Sequence, residues 1–533
     1  MVRVTIIAQL CAAGLALAEV ASVPAGGSEA VECPLDSGYI PAAPAIPGGD
    51  KPVTLDTPIV EPGPVALPAS AVYAEPVRKT FFAYLAAGSD RGGKSKDGGS
   101  PGKSPLRVSY FDHARSTVPR PAILPLDGVA SVVPAGVSLA LDEQGYVWVC
   151  ASPALAASNS GAGNKEQPTT QPAQGAGAAA VGTQGQPTIL FRSSKPHDIR
   201  AFTRHAGPPM ADARLYHLGE QGFLLIGLRD RDGGSIPCFA TSPDGRSWSE
   251  PRQLADIDAN HSLVTAFFKG KTGATKVGVA LAAWPAGKSP LMATNLYYVE
   301  TPDGGKTWQS IRRIPLNLPV RGNENGVLAW DYKSMRWTVY LKDMELDSAG
   351  NPSIVFIGGR GGTGRIPLMC TWIVGRWVGR EWETNGVIPA AGPFDATAFQ
   401  ILPDRSWLQL VARNTSAPRQ AHEEVVLWSS NDQGRAWYKQ AWVSSDPSIR
   451  HALVRPLNAS PELFALAIIG LRGIEKSIPP FGEHPGFTKP PIDATRLLFH
   501  NARGDSLMLP LAMPDSEARL EPIDAPPPQT QPK

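Results

Sequence analysis

The sequence predicts an all-β protein, a β-propeller of four-stranded antiparallel blades, on three observations. Hairpin signals recur along the chain, one turn motif repeats at near-regular spacing, and no helical periodicity of comparable length competes with them. The hairpins come first. Residues 137–150, VSLALDEQGYVWVC, form an apolar run, a polar turn at Glu143-Gln144-Gly145 and a second run with aromatics. Residues 214–229 (RLYHLGEQGFLLIGLR), 399–411 (FQILPDRSWLQLV) and 496–510 (RLLFHNARGDSLMLP) repeat that form. Short runs of branched and aromatic residues suit a pleated, packed surface, and Gly, Asn or Asp between them turns the chain.

The repeated turn is the most informative feature. Ser242-Pro-Asp244-Gly245-Arg-Ser247-Trp248 is a shortened copy, Thr301-Pro-Asp303-Gly304-Gly305-Lys-Thr307-Trp308 a full copy, and Ser430-Asn-Asp432-Gln-Gly434-Arg-Ala-Trp437 a third. All match the Asp-box pattern, in which an Asp carboxylate accepts the turn's own N–H groups, a Gly permits positive φ and a Trp packs back onto the sheet. Each copy follows an apolar run, at 236–240, 295–299 and 424–428. Asp244 and Asp303 are 59 residues apart, and Asp303 and Asp432 are 129 apart, so a blade that has lost its box is expected between them. Arg376-Trp-Val-Gly-Arg-Glu-Trp382 is the candidate remnant. A period of about 62 over roughly 440 residues allows seven blades, with six as the alternative because of the insertions. The ring is expected to close by pairing strands near Thr80–Tyr84 with strands near the C-terminus.

Composition sets the limits of the domain. The 53 Gly and 53 Pro fit many turns and solvated insertions and oppose long helices. Residues 1–18 have signal-peptide form, with Arg3, an apolar stretch and the small residues Ala16-Leu17-Ala18, so export to a secreted or periplasmic location is expected. The apolar stretch is too short to span a bilayer comfortably, and no later stretch approaches a membrane helix. Residues 19–74 read as a Pro/Ala-rich leader, 75–512 as the propeller, 87–105 and 154–186 as disordered insertions, and 513–533 as a disordered tail. Cys33, Cys150, Cys238 and Cys370 lack metal-ligand spacing, and the last three lie in or beside apolar runs, which favours buried free thiols. A net charge of +2 with interspersed signs gives no basic stripe for nucleic acid. No motif implies a cofactor or a metal, and there is no phosphate loop, dinucleotide fingerprint or nucleophile elbow.

On these motifs the chain resembles a BNR-repeat propeller family of the sialidase-like superfamily, related to ulvan lyases. The likeness rests on Arg78–Tyr84, Val108–His113, Val118–Pro121, Leu139–Trp148, Ile189–Ile199, Asn295–Tyr298 and Val339–Asp343, besides the three boxes. It implies a fold that acts on acidic polysaccharide by β-elimination, which needs a base for the C5 proton, an acid for the leaving oxygen and a cation for the uronate carboxylate. The family places a His before the strand at Leu139, a second His after the Tyr-Val-Trp strand, a Tyr at the opening of the next hairpin and an Arg at its close. Here the first region is Asp127-Gly-Val-Ala-Ser-Val-Val-Pro, the second is Cys150-Ala-Ser-Pro, and the hairpin opens Met210-Ala-Asp212-Ala-Arg214, with Tyr216 inside the strand; Arg229 alone matches.

The remaining candidates are weighed on the same chemistry. A sialidase needs an arginine cluster, a Tyr nucleophile helped by Glu and an Asp acid/base. Its first arginine belongs in an early Phe-Arg-Ile-Pro motif, whereas Phe191-Arg192 is followed by two serines and Arg313-Ile-Pro315 comes too late. His113 beside Asp112 is a candidate base or a packed side chain of the first blade, and Glu423, Glu424 and His451 are weaker candidates of the same kind. The expected function is an exported propeller that binds a polysaccharide or glycoprotein and is catalytically degenerate. An active lyase or sialidase-like hydrolase is the alternative, and ligand and oligomeric state stay open.

Overall fold

Burial on both faces explains why the strands read as unbroken apolar runs. In the computed structural model, Ala213, Leu215, Leu225, Cys238 and Ala240 pack with Ala140, Trp148, Cys150 and Leu190 of the preceding sheet. The alternate residues of the same strands, Leu224, Ile226, Leu228 and Phe239, pack with Leu263, Val277 and Val279 of the following one. The pattern recurs further along, where Ile354, Phe356 and Ile373 face backward and Val355, Ile357, Trp372 and Val374 face forward to Phe399. Each of these two sheets is thus clamped between its neighbours, and the period-two alternation divides its side chains between two apolar seams.

The structure describes, apart from short gaps, residues 69–85, 106–126, 136–153, 187–360, 370–390 and 397–444, and the strand segments 450–460, 463–471, 494–501, 511–512 and 519–521. The signal segment 1–18, both long insertions, Cys33 and the region from Asp127 to Pro134 lie outside them. The described strands follow one another as antiparallel meanders. The first holds Ala69–Ala74, Lys79–Leu85, Leu106–Asp112 and Ala122–Leu124; the second Gly136–Leu141, Val147–Ser152, Ile189–Ser193 and Ala201–Ala206. The third holds Ala211–His217, Phe223–Arg231, Gly234–Ser242 and Arg252–Gln253, and a single parallel pairing, Ser235 with Asn260, joins it to the fourth. The fourth is Asn260–Lys269, Thr275–Trp284, Thr294–Thr301 and Leu328–Trp330. Trp337–Leu346, Pro352–Arg360, Cys370–Trp377 and Trp382–Ala390 form the fifth; Thr397–Leu402, Trp407–Asn414, Glu424–Ser430 and Tyr438–Ser444 the sixth; Arg450–Ser460, Leu463–Leu471 and Ala494–Asn501 the last.

The first strands of successive meanders stand side by side, the third and fourth joined by the Tyr216–Thr265 hydrogen bond, and Ala69–Ala74 touches both Gly136–Leu141 and Arg450–Ser460. These first strands therefore surround a common axis, and the chain is a β-propeller. Side chains replace the missing ladder between them. Leu215 N–H donates to Ser138 Oγ at 2.9 Å, and Ser138 Oγ donates to the Ala213 carbonyl at 3.3 Å. Leu139 N–H donates to Ser70 Oγ and Phe399 N–H to Asp343 Oδ2.

Two boundaries fall differently from the sequence reading. Ala69–Ala74 is a strand within the stretch assigned to the leader, and Arg519–Glu521 is a strand within the stretch assigned to the tail. Ring contact is made by Ala69–Ala74, one strand earlier than expected, because Lys79–Leu85 is already the second strand of its sheet. The late residues add two parallel pairings, Leu511–Ala512 with Val118–Pro119 and Arg519–Glu521 along Ala201–Thr203.

The three repeated corners share one geometry. Ser242 Oγ accepts from Gly245 N–H at 2.8 Å, Thr301 Oγ1 from Gly305 N–H at 2.8 Å, and Ser430 Oγ from Gly434 N–H at 2.7 Å. The carboxylates take the next amides: Asp244 from Arg246 and Ser247, Asp303 from Thr307, and Asp432 from Arg435 and Ala436. For Asp244 and Asp303 partial burial works to raise the carboxyl pKa, but these bonds win and hold it below its ordinary value; for Asp432 the Ala436 amide leads in lowering it. Trp248 and Trp437 donate through Nε1 to the carbonyls of Gly245 and Gly434, whereas Trp308 packs on Phe239 with a 5.1 Å ring separation.

Each corner rests on the preceding sheet. A Cβ at Gly245 would stand 2.5 Å from Trp148, one at Gly305 would stand 3.1 Å from Leu224, and Arg376 donates to the Gln433 carbonyl at 2.7 Å. In the fifth sheet Trp377 and Trp382 flank the equivalent turn, and Trp382 packs on Trp330 and Tyr298 of the sheet before. The turn 378–381 thus occupies the corner position without the Asp-Ser pairing.

Candidate functional site

Antiparallel meanders give every sheet two ends. One carries the turns from first to second strand and the corners from third to fourth; the other carries the connections from second to third strand. The insertions 87–105 and 154–186 both belong to second-to-third connections. Those connections meet at the end where Val147–Ser152 and Phe223–Arg231 finish, and there the second and third sheets bring several polar groups together.

Gly136 makes the close seam possible, since a Cβ on it would stand 2.6 Å from Ser152 Oγ and 3.1 Å from Asp212 Cα. Ser152 is fully buried; it accepts from Ala213 N–H at 2.9 Å and donates to the Gly136 carbonyl at 3.3 Å. The strand pairing shifts register between Ala211 and Arg214, and Asp212 sits in this bulge at φ 45°. A non-glycine residue at positive φ beside a bulge is a costly local conformation of the kind that re-aims side chains at sites. Arg214 Nη2 lies 3.1 Å from Asp212 Oδ1, with both side chains about one-fifth exposed (19% and 22%). Its Nη1 donates to the Val137 carbonyl across the seam.

Arg229 closes the same hairpin at this end. It is half-buried, and no carboxylate pairs with it among the described residues. Its field and that of Arg231 reach Cys238, whose thiol burial still pushes up to about 11. Deeper along the axis Tyr216 is hydrogen-bonded to Thr265 of the fourth sheet. Burial pushes its phenol up to about 12, with Asp343 and Glu345 raising it further and Thr265 and Arg214 opposing. The phenol is therefore a neutral hydrogen-bonding group at any physiological pH.

His113 lies at the opposite end. Its amide donates to the Arg78 carbonyl in the turn after the first strand, Thr80 Oγ1 is 2.8 Å from its Nε2, and its ring stands edge-on to Tyr73 and Phe111. The Asp112 carboxylate accepts the amides of Ala114 and Arg115 and so caps the turn. The structure thus separates the two candidates: Arg229 is at the insertion-bearing end, and His113 is packed into the first sheet at the corner end. Glu423 and the side chains of Glu424 and His451 lie outside the described residues.

At the second imidazole position of the lyase pattern stand Cys150, Ala151 and Ser152, all buried, with the Cys150 thiol pushed up to about 12 by burial. Cys150, Cys238 and Cys370 are free and buried, as expected. Sequence reasoning missed Asp212 and Ser152. Their roles depend on a positive φ and on a contact between sheets, and the sole sequence hint is the small-residue run Gly136, Ala211, Ala213 that lets the strands approach. Among the described residues no three His, Cys, Asp or Glu side chains gather as for a metal ion, and no helix is long and apolar enough to cross a membrane.

Fold and site together define a β-propeller with a polar cluster between its second and third sheets. Among solved structures it is similar to an ulvan lyase of the polysaccharide lyase family PL25, both free and bound to -[GlcA(1-4)Rha3S]-; each match has 16% identity and a TM-score of 0.53 over 78% of this chain and 91% of that one. A match to the NanB sialidase of Streptococcus pneumoniae is looser, at 11% identity and TM-score 0.37 over 78% of this chain and 68% of that one. No family model and no curated relative match the sequence.

Proposed function

We propose that this chain is an exported, seven-bladed Asp-box propeller that binds a glycan at the insertion-bearing end of its second and third blades, without the elimination chemistry of the lyases it resembles. The observation that carries the reading is the half-buried Arg229 guanidinium, unpaired among the described residues, beside the bulged Asp212–Arg214 pair. A guanidinium held by a strand end offers a planar donor fork to a carboxylate or sulfate, and Asp212 offers acceptors to sugar hydroxyls. The groups that would move a proton are not at the matching positions, where Cys150–Ser152 are sealed in the seam and Asp212 stands near the hairpin's opening. Seven successive meanders and the contact of the first with the last support the blade count. The signal-like residues 1–18 support export.

The test is a glycan array on the purified protein, followed by incubation with uronate-containing polysaccharides and ultraviolet detection of unsaturated product. Binding that Arg229→Ala weakens by about tenfold or more, with no product, is expected. Steady accumulation of unsaturated ends would overturn the non-catalytic reading and establish the alternative, an active lyase; release of saturated sugar would establish a hydrolase.

A further inference from the structure

We propose that Asn325 is a site of spontaneous modification, at which the folded chain loses side-chain ammonia and converts to aspartate and isoaspartate, while Asn385 is kept intact by its sheet. Asn-Gly occurs twice in the sequence, at 325–326 and at 385–386. Asn is a labile residue because the main-chain nitrogen that follows it can attack its own side-chain carbonyl. A glycine in that next position adds no Cβ to hinder the approach.

The two pairs stand in opposite settings. Asn325 and Gly326 are both exposed, in the excursion between the third and fourth strands of the fourth sheet. Both take left-handed backbone, Asn325 at φ 55° and ψ 26° and Gly326 at φ 72°. The excursion has room to turn: among the described residues a Cβ at Gly326 would meet only the Arg312 stem, at 3.8 Å, and one at Gly322 nothing within 4 Å. Asn385 and Gly386 lie instead inside Trp382–Ala390, where they face Val374 and Ile373 across an antiparallel ladder. Swinging the Asn-Gly peptide toward the side chain is a local event in the first case. In the second the ladder must open first, and that opening costs free energy. The Asp-Gly pairs of the corners, 244–245 and 303–304, are protected in another way. Their carboxylates accept turn amides that hold them ionised, and an ionised carboxylate is a poor electrophile.

The reaction balances with water alone. The Gly326 nitrogen bonds to Cγ of Asn325 as the Cγ–Nδ2 bond breaks; the nitrogen gives its proton to solvent, and the departing amide nitrogen takes one up and leaves as ammonia. Water then opens the five-membered imide. Opening at the side-chain carbonyl leaves aspartate. Opening at the main-chain carbonyl leaves isoaspartate, whose chain runs through Cγ and is longer by a carbon. Either product adds a negative charge. The extra carbon falls just before Val327, which is buried and whose carbonyl accepts the Tyr298 amide at 2.8 Å, and just before the outer strand Leu328–Trp330. The modification therefore bears on the outer edge of the fourth sheet. None of these residues belongs to the Arg229 site, so it stands or falls apart from the glycan reading.

The test is peptide mapping by mass spectrometry of the folded full chain aged at mildly alkaline pH, with enzymatic methylation of isoaspartyl carboxylates, peptide by peptide, as a second readout. The Asn325 peptide is expected to exchange amide for carboxyl and to accept methyl groups at least about tenfold faster than the Asn385 peptide. In denaturant, where no ladder holds either pair, the two peptides should age at similar rates. An Asn325 peptide that stays intact in the folded chain while it ages in denaturant would overturn the proposal. So would an Asn385 peptide that ages as fast as the Asn325 peptide in the folded chain.

Discussion

The two ends of the blades are built on different principles. At the corner end, Ser/Thr and Asp side chains satisfy their own turn amides within a few residues, and glycine lets the turn lie on the preceding sheet, at Gly245 on the ring of Trp148. At the insertion-bearing end, the groups that matter belong to different sheets: Ser152 bridges Gly136 and Ala213, and Arg214 reaches Val137. Local closure makes the corners recognisable and mutually alike. Closure between sheets makes the other end individual, and individuality is what a binding site requires.

The sharpest way to break this contrast is at Gly245. Gly245→Ala places a Cβ against Trp148 at φ +73°, and should cost about 3 kcal/mol in urea unfolding. Gly379→Ala, at φ +88° with nothing within 4 Å of a Cβ, should cost only about 1 kcal/mol. Equal losses would show that packing on the preceding sheet does not matter. Second, Ser152→Ala leaves the buried Ala213 amide without its acceptor and should lower stability by about 2 kcal/mol in the same assay, while Ser247→Ala at an exposed corner position should change it by less than about 0.5 kcal/mol.

A third, smaller effect concerns acid. His261 is buried, and because its Nδ1 stands 2.8 Å from the Ser235 carbonyl, which only accepts, that nitrogen carries the hydrogen and Nε2 is bare and unpartnered. Burial lowers its pKa below the ordinary 6.5, and burial likewise leads in lowering His197, His205 and His217. The unfolded chain takes up these protons near 6.5 and the folded chain only at lower pH. Stability is therefore full above that value and falls as the pH drops below it. Melting temperature followed from pH 7.5 to 5 should decline, and His261→Asn should make the decline shallower; an unchanged slope would exclude His261 as a contributor. Last, Arg229→Ala should leave unfolding within about 0.5 kcal/mol of the parent, since no carboxylate pairs with it among the described residues. A larger loss would move Arg229 from the site to the scaffold.

The same contrast decides what was legible in the sequence. The corners could be read because residues within seven positions supply every donor and acceptor, and the apolar hairpins because two-sided burial writes itself as unbroken runs such as FLLIGL. The lost box of the fifth blade was found from spacing, and its Trp382 does pack where the other corners rest. The strand Ala69–Ala74 was not seen, because a Pro/Ala-rich context masks a segment whose pairing partner is fixed only by its neighbours. His113 looked like a base beside a carboxylate, yet Asp112 turns to its own loop amides, which sequence adjacency cannot reveal. Asp212 and Ser152 owe their placement to a bulge and a seam that exist only once the sheets are assembled.

The parallel ladder of Arg519–Glu521 on Ala201–Thr203 has a further consequence. It covers hydrogen-bonding groups at the outside of an early blade with residues translated late. Loss of those few residues to a protease would spare every corner and every seam, yet bare a row of amides and carbonyls that solicit a strand from another molecule. The trimmed protein would melt almost as before and associate edge to edge, so its colloidal behaviour, more than its thermal resistance, would report whether the cover is in place.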